Sequence, residues 1–300
     1  MQTKTDEGLT VTEHHRNIHE VMYDASGGGQ LPILIISDVH YDSVECDREM
    51  LDRHMRWAHE NNALVIVNGD WYDLMQGRYD PRGTKGAIRP EYVGGNYLDL
   101  VIADSVEYLA KWDVTYIMGQ GNHETNIRKR LETDVLDRTV GTLRMAGKSA
   151  WLSGYSGWVV IRARHGKGAN KHHAQTYRLH HHHGMGGNAP RSKGVLRVDI
   201  QQMQYPDADM IIRGHDHNKW HMPITVSRLV ERAMVIEKRT VHHLQTGSYK
   251  MAGDGYAGWE TEKGFAEPRL GGWMVTLSNT VQGEGDRKRK KIKVTVAEAS

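Results

Sequence analysis

A carboxylate and an imidazole two residues apart, Asp38 and His40, follow directly on the apolar run Ile33 to Ile36. Four aliphatic residues are too few for a buried helix and read as a strand covered on both faces, the pattern of a parallel sheet. Beyond the C-terminal end of such a strand is where ligand sites gather in α/β proteins, and one loop there can turn both side chains inward. The arrangement recurs. Ala63 to Val67 ends in Asn68-Gly69-Asp70, Val114 to Met118 in Gly119-Gln120-Gly121-Asn122-His123-Glu124, and Met210 to Ile212 in Arg213-Gly214-His215-Asp216-His217, while His183-Gly184 closes a histidine run. A mixed oxygen and nitrogen set of this size exceeds what one four-coordinate zinc ion needs and suits two adjacent ions bridged by a carboxylate. The chemistry such a pair serves best is hydrolysis at phosphorus, because it lowers the pKa of water to about 7 and clamps the attacking and leaving oxygens.

The elements that must position these residues follow from spacing. Asp42 with Glu45 resembles a capping box, and Leu51, Met55 and Ala58 give one apolar helical face running to about Asn61. Leu98, Val101, Ile102, Val106 and Leu109 mark a second helix ending near Trp112, and Ile127, Leu131, Val135 and Leu143 a third over 124–145. This βαβαβα order predicts a sheet with helical crossovers. In the second half, Trp158 to Ala163 and Thr176 to His183 read as a hairpin, followed by strands near 210–212, 224–230, 234–236, 241–244, 273–277 and 292–296, so the second sheet is expected to be antiparallel. Residues 1–30 are polar, end in Ser26-Gly27-Gly28-Gly29 and read as an arm leading into a single domain over 31–300. The fold class expected is α/β, two sheets packed as a sandwich flanked by helices, with the metal site at strand C-terminal ends. Two irregular segments, 74–92 and 247–272, adjoin that end.

Composition sets the bounds. The 300 residues, 38% of them hydrophobic, suffice for a large core, and a net charge of +2 neither demands nor excludes a nucleic-acid partner. One cysteine, Cys46, excludes an internal disulfide and fits a reducing compartment. No run reaches the length of a membrane span and the N-terminus lacks the apolar core of a signal peptide, so a cytoplasmic location with no membrane partner is expected. Histidine stands out, with 19 residues against one phenylalanine.

Asp38-x-His40, Gly69-Asp70, Gly121-Asn122-His123-Glu124, His183-Gly184 and Gly214-His215-x-His217, in that order, closely resemble the five signature blocks of the calcineurin-like metallophosphoesterases. The polar N-terminal segment and the His-rich fourth block also look like phage- and prophage-type members. The resemblance implies that Asp38, His40 and His217 hold a first ion, that Asp70 bridges, and that Asn122, His183 and His215 complete a second. It implies a general-acid role toward the leaving group for His123, with Glu124 orienting it. In the fourth block His180, His181, His182 and His165 compete with His183; His183 is preferred because the family places this residue at a strand end before glycine, and alternation puts His181 on the same face. The cofactor implied is two divalent metal ions, manganese first, with iron and zinc as alternatives. The substrate implied is a phosphate mono- or diester, with a DNA or RNA nuclease as the main variant and a non-catalytic scaffold as the rival.

Arg287 to Lys293 offers a nucleic-acid patch, but the inward alternation of Ile292, Val294 and Val296 reads better as an edge strand with solvated lysines. Trp71, Tyr72, Trp220 and Tyr249 sit near strand ends, with core packing the commoner role for such aromatics. Arg78, Arg82 and Arg213 are candidate phosphate contacts.

Overall fold

A computed structural model of the chain describes every residue except 1, 7, 75–87, 166–172, 187–191, 252–268, 283–288 and 300. It opens with three strands, β1 (Gln2–Asp6), β2 (Leu9–His15) and β3 (Ile18–Asp24). The first half then alternates β4 (Leu31–Ile36), α1 (Arg48–Glu60), β5 (Leu64–Asn68), α2 (Tyr97–Ala110), β6 (Thr115–Gly119), α3 (Asn122–Leu131), α4 (Val135–Met145) and β7 (Ser149–Leu152). The second half contains β8 (Ser156–His165), β9 (His173–His182), α5 (Val198–Gln204), β10 (Met210–Arg213), β11 (Trp220–Val230), β12 (Val235–Gln245), β13 (Trp273–Gln282) and β14 (Arg289–Glu298).

Two sheets pack face to face. One has six strands in the order β14-β13-β4-β5-β6-β7, the other eight in the order β1-β2-β3-β8-β9-β10-β12-β11. Strands β4 to β7 run parallel, joined by helical crossovers. Their unbroken apolar runs divide by parity. Ile33, Ile35, Leu64, Ile66, Ile117 and Val275 face the other sheet, where Val21, Ile161, Leu179, Ile212 and Leu244 meet them. Leu34, Ile36, Val65, Val67 and Met118 face the helices and pack on Leu51, Met55, Val101, Leu109 and Leu143. No helix among the described residues is long and apolar enough to cross a membrane.

Several expectations need correction. Residues 2–24 are not an arm: β2 and β3 carry Leu9, Val11, Val21 and Tyr23 into the inter-sheet core, and β3 lies parallel to β8. The alternation LTVTEHH and IHEVMYD has period two, which the polar average of the segment obscures. The eight-stranded sheet is mixed rather than antiparallel, since β9, β10 and β12 run parallel to one another. The helix expected over 124–145 is two, because Glu132 turns left-handed at φ 55° and Asp134 caps α4 by accepting from Asp137 N at 3.0 Å. The N-cap of α1 is Asp47, accepting from Met50 N at 2.8 Å, and not Asp42. β14 is an edge strand whose Ile292, Val294 and Val296 pack inward while Lys291 and Lys293 are exposed.

Val21 is fully buried between the sheets. Val21→Ala is expected to cost about 2 kcal/mol in urea unfolding, from two lost methyl groups and the space they leave; an unchanged midpoint would mean that the N-terminal strands contribute nothing to the core.

Candidate metal centre

Where β4, β5 and β6 end, the chain turns sharply and buries polar side chains. Asp38 and Asp70 are 0% and 1% exposed, with His40 and His183 equally enclosed. Asp38, His40, Asp70, His215 and His217 all take the left-handed backbone region, at φ 52°, 50°, 49°, 71° and 52°. Each such non-glycine residue costs on the order of 1–3 kcal/mol, and clusters of them mark sites where function dictates the backbone. The strand ends are laced together to hold that geometry. Asp38 N donates to Gly69 O, and Val39 N and His40 N donate to Asp70 O, at 3.1, 2.8 and 3.2 Å. Gly121 and Gly214 are required by close approach: a Cβ at Gly121 would overlap the Asp70 carboxylate, and one at Gly214 would overlap Ser37 Oγ and Asp38 Oδ2.

Three groups of candidate ligating atoms form among the described residues, one of them His40, Asp73 and His123, which shares His40 with another. Asp38, His40 and His217 lie within 4.8 Å of one another, and so do Asp70, His183 and His215. His217 Nε2 is 3.3 Å from Asp38 Oδ1, and His183 Nε2 is 3.1 Å from Asp70 Oδ2 and 3.0 Å from Asn122 Oδ1. The tautomers can be read from the partners. His183 Nδ1 meets Asn68 O at 2.8 Å, and His215 Nε2 meets Gly186 O at 2.6 Å; a carbonyl only accepts, so each of these nitrogens carries the hydrogen and the opposite one is free to ligate. His40 Nδ1 lies 2.9 Å from Asp73 Oδ1, at ion-pair distance, and both ring nitrogens of His40 are buried with no partner in hydrogen-bond geometry. A buried imidazole without hydrogen-bond partners, beside carboxylates, is the donor set a divalent transition metal takes. The residues therefore fit two such ions.

Electrostatics agree with the geometry. Burial acts to raise the Asp38 carboxyl, but the His217 contact and the charges of His183 and His217 outweigh it and hold the pKa at about 2. Burial likewise opposes ionisation of Asp70, and His183 and His123 overcome it, keeping that group well below the usual carboxylate range. Burial lowers His183, yet Asp70 and Asp38 lift it to about 10; burial carries His40 down to about 4, with Asp73 offsetting only part.

His123 sits at the start of α3, with Nε2 3.7 Å from Asp70 Oδ2 and its ring edge-on to His40 at 4.9 Å. Its Nδ1 is bound to the carbonyl of Asp73, which places the Nδ1 hydrogen and leaves Nε2 turned to the centre. Glu124 meets backbone donors rather than the His123 ring. Its carboxylate accepts from Gly121 N at 2.8 Å, Tyr72 N at 3.0 Å and Asp70 N at 3.2 Å, so it binds two of the site's loops together. Burial and then the Asp70 charge push it up to about 7 against the Tyr72 and Gly121 donors.

The competing histidines have other partners. His180 stacks on Tyr205, His181 Nε2 meets Ser153 Oγ at 2.9 Å, and His182 Nδ1 accepts from Gly184 N at 3.0 Å. His165 pairs in register with His173, at the opposite end of the β8–β9 ladder from the Ser156–His182 pair that adjoins the site. Arg213 is not a phosphate contact. It is buried, donates to Gly194 O at 2.9 Å and lies 3.4 Å from Asp216. Arg78 and Arg82 lie outside the described residues, as does most of the two irregular segments. Trp71, Tyr72 and Tyr249 are core groups bonded to Ser105, Thr139 and His54, and Trp220 Nε1 donates to Lys193 O.

Sequence reasoning missed Asp73, Asp42, Ser37, Ser248 and Lys250. Asp42 accepts from Asp73 N at 2.6 Å and Leu74 N at 3.0 Å, which fixes the segment carrying the Asp73 carbonyl. Ser37 Oγ donates to Asp38 Oδ2 at 2.6 Å, and Ser248 Oγ to Asp38 O at 2.9 Å. Asp73 could have been found as one more carboxylate just past a strand end; Ser248 and Lys250 carry no local signal.

The chain belongs to the calcineurin-like phosphoesterases, whose family model matches residues 31–219. Among solved structures it is similar to GAP50, the anchor in the inner membrane complex of Plasmodium, at 12% identity over 88% of this chain and 89% of that one, with a TM-score of 0.42. A conserved uncharacterized protein of Streptococcus pneumoniae, described as a predicted phosphoesterase, matches at 11% identity over 88% and 99%, with a TM-score of 0.26. Likenesses this distant carry no weight for function. A search of curated proteins finds no match.

With its pKa raised to about 7, Glu124 makes wild-type stability fall as pH rises toward neutrality, and Glu124→Gln, which does not titrate, is expected to lose that fall in urea unfolding followed against pH. Loss of turnover with that fall retained would instead return Glu124 to the reacting groups.

Proposed function

We propose that the protein is a metal-dependent hydrolase of phosphate mono- or diesters with a dinuclear centre. The observation that carries this reading is the juxtaposition of the Asp38, His40, His217 group with the Asp70, His183, His215 group, in which His183 and His215 each have one ring nitrogen held by a backbone carbonyl and the other not. In this reading Asp38, His40 and His217 hold the first ion, Asn122, His183 and His215 the second, and Asp70 lies between. Two divalent ions so bound supply Lewis acidity that activates water near neutral pH and offsets phosphoryl charge.

The chain's own residues do the rest. His123 is raised above the ordinary imidazole value, because Asp70 and Asp73 and the Asp73 carbonyl outweigh the effect of burial, and this favours its protonated form. With Nδ1 fixed on that carbonyl, the Nε2 proton is the one delivered to the leaving oxygen as the phosphorus–oxygen bond breaks. Glu124 and Asp42 hold the backbone that aims these groups.

Metal-stripped protein is expected to hydrolyse neither a chromogenic phosphomonoester nor a phosphodiester, and added manganese to restore turnover of at least one. His123→Ala is expected to lower kcat by about 10²–10⁴-fold while bound metal, measured by elemental analysis, stays unchanged. Full turnover by that variant would remove His123 from the mechanism; turnover that ignores metal would remove the dinuclear reading itself.

A further inference from the structure

Lys250 lies in the loop after β12, beyond the span 31–219 that the family model matches. Its side chain is only 15% exposed, and Nζ is 3.3 Å from Asp73 Oδ1 and 3.3 Å from Glu45 Oε2. The same Asp73 oxygen is the one 2.9 Å from His40 Nδ1. One buried carboxylate oxygen is thus shared between an ammonium and a candidate metal-ligating imidazole.

The loop is built to hold that contact. Tyr249 N donates to Asp38 O at 3.0 Å, Lys250 N to Ser248 Oγ at 2.9 Å and Met251 N to Glu45 O at 2.9 Å, while Asp47 N donates to Tyr249 O at 2.8 Å. Lys250 is therefore clamped between the Asp38 turn and the segment leading into α1. It also answers an electrostatic problem. Asp42 and Asp73 are both buried, 1% exposed, and lie together, with the Asp42 carboxylate accepting from Asp73 N at 2.6 Å. Among the described residues, Lys250 is the one lysine or arginine at ion-pair distance from Asp73.

We infer that Lys250 is a positioning residue of the metal centre: its ammonium offsets the paired charges of Asp73 and Asp42 and pins the Asp73 carboxylate against His40, which then presents Nε2 to the first ion. The inference rests on the metal reading proposed above. Without the ammonium, two like charges remain in a medium that screens them poorly, and turning Asp73 away from His40 is the relief open to them. Groups that orient a ligating histidine from behind typically change metal affinity about 10–100-fold when removed.

The test is calorimetric titration of manganese into the metal-stripped full-length chain, for wild type, Lys250→Met, Lys250→Arg and Glu45→Gln, together with KM and kcat for the best ester. Wild type is expected to show two sites. Lys250→Met should weaken one of them about 10–100-fold and leave the other unchanged, with KM for the ester unaltered at saturating manganese. Lys250→Arg, which keeps the charge, should recover most of the lost affinity, and Glu45→Gln, which removes only the outer partner, should match wild type. Unchanged manganese affinity in Lys250→Met overturns the inference, as does a raised KM at unchanged affinity, which would make the lysine a substrate contact. Glu45→Gln as weak as Lys250→Met also overturns it, reducing Lys250 to a loop tether. Wild type binding no manganese overturns the metal reading itself, and this inference with it.

Discussion

Asp38 and Asp70 are buried side by side at the ends of adjacent parallel strands, and among the described residues the side chains at ion-pair distance from them are imidazoles: His217 for Asp38, His183 and His123 for Asp70. Taking a carboxylate out of water costs several kcal/mol unless positive charge comes with it. Protons on imidazole supply that charge in the metal-free chain, which is why His183 rises to about 10 while Asp38 falls to about 2. The same nitrogens are those a divalent ion would take, in exchange for the protons. The five left-handed residues, the enclosing glycines and the Glu124 brace make sense as the means of holding this anionic pair in place.

The architecture supplies the rigidity that such a site needs. Strands β4 to β6 are buried on both faces, so their ends cannot shift without disturbing either the inter-sheet core or the helix layer. Around these ends the chain recruits distant segments. The β9 terminus brings His183, the turn after β10 brings His215 and His217, and the loop after β12 holds the Asp38 carbonyl through Ser248 and Tyr249. That last support comes from outside the stretch the family model matches, so the sheet edge and its loops are part of how this chain builds its centre.

Much of this was legible in the sequence because both periodicity and residue type are local. Uninterrupted aliphatic runs revealed the buried parallel strands, and Asp, Asn and His directly after them gave the site's composition. The N-terminal strands were not legible, since their apolar residues alternate within a polar average and their partner β8 is far along the chain. The break between α3 and α4 depends on one left-handed residue, Glu132, of a type with no preference for that conformation. Glu124 stands beside His123 in sequence but meets backbone donors rather than its ring, because a helix start turns successive side chains to different sides. Lys250 and Ser248 gave no signal, as their contacts depend on how a distant loop closes.

The central claim is that the two groups around Asp70 are one dinuclear centre. A crystal structure of the manganese-soaked protein, with anomalous data at an energy where manganese scatters strongly, tests it directly. Two anomalous peaks about 3.5–4 Å apart, one among Asp38, His40 and His217, the other among Asn122, His183 and His215, with Asp70 between, are what the account predicts. A single peak, or none at these residues, would contradict it.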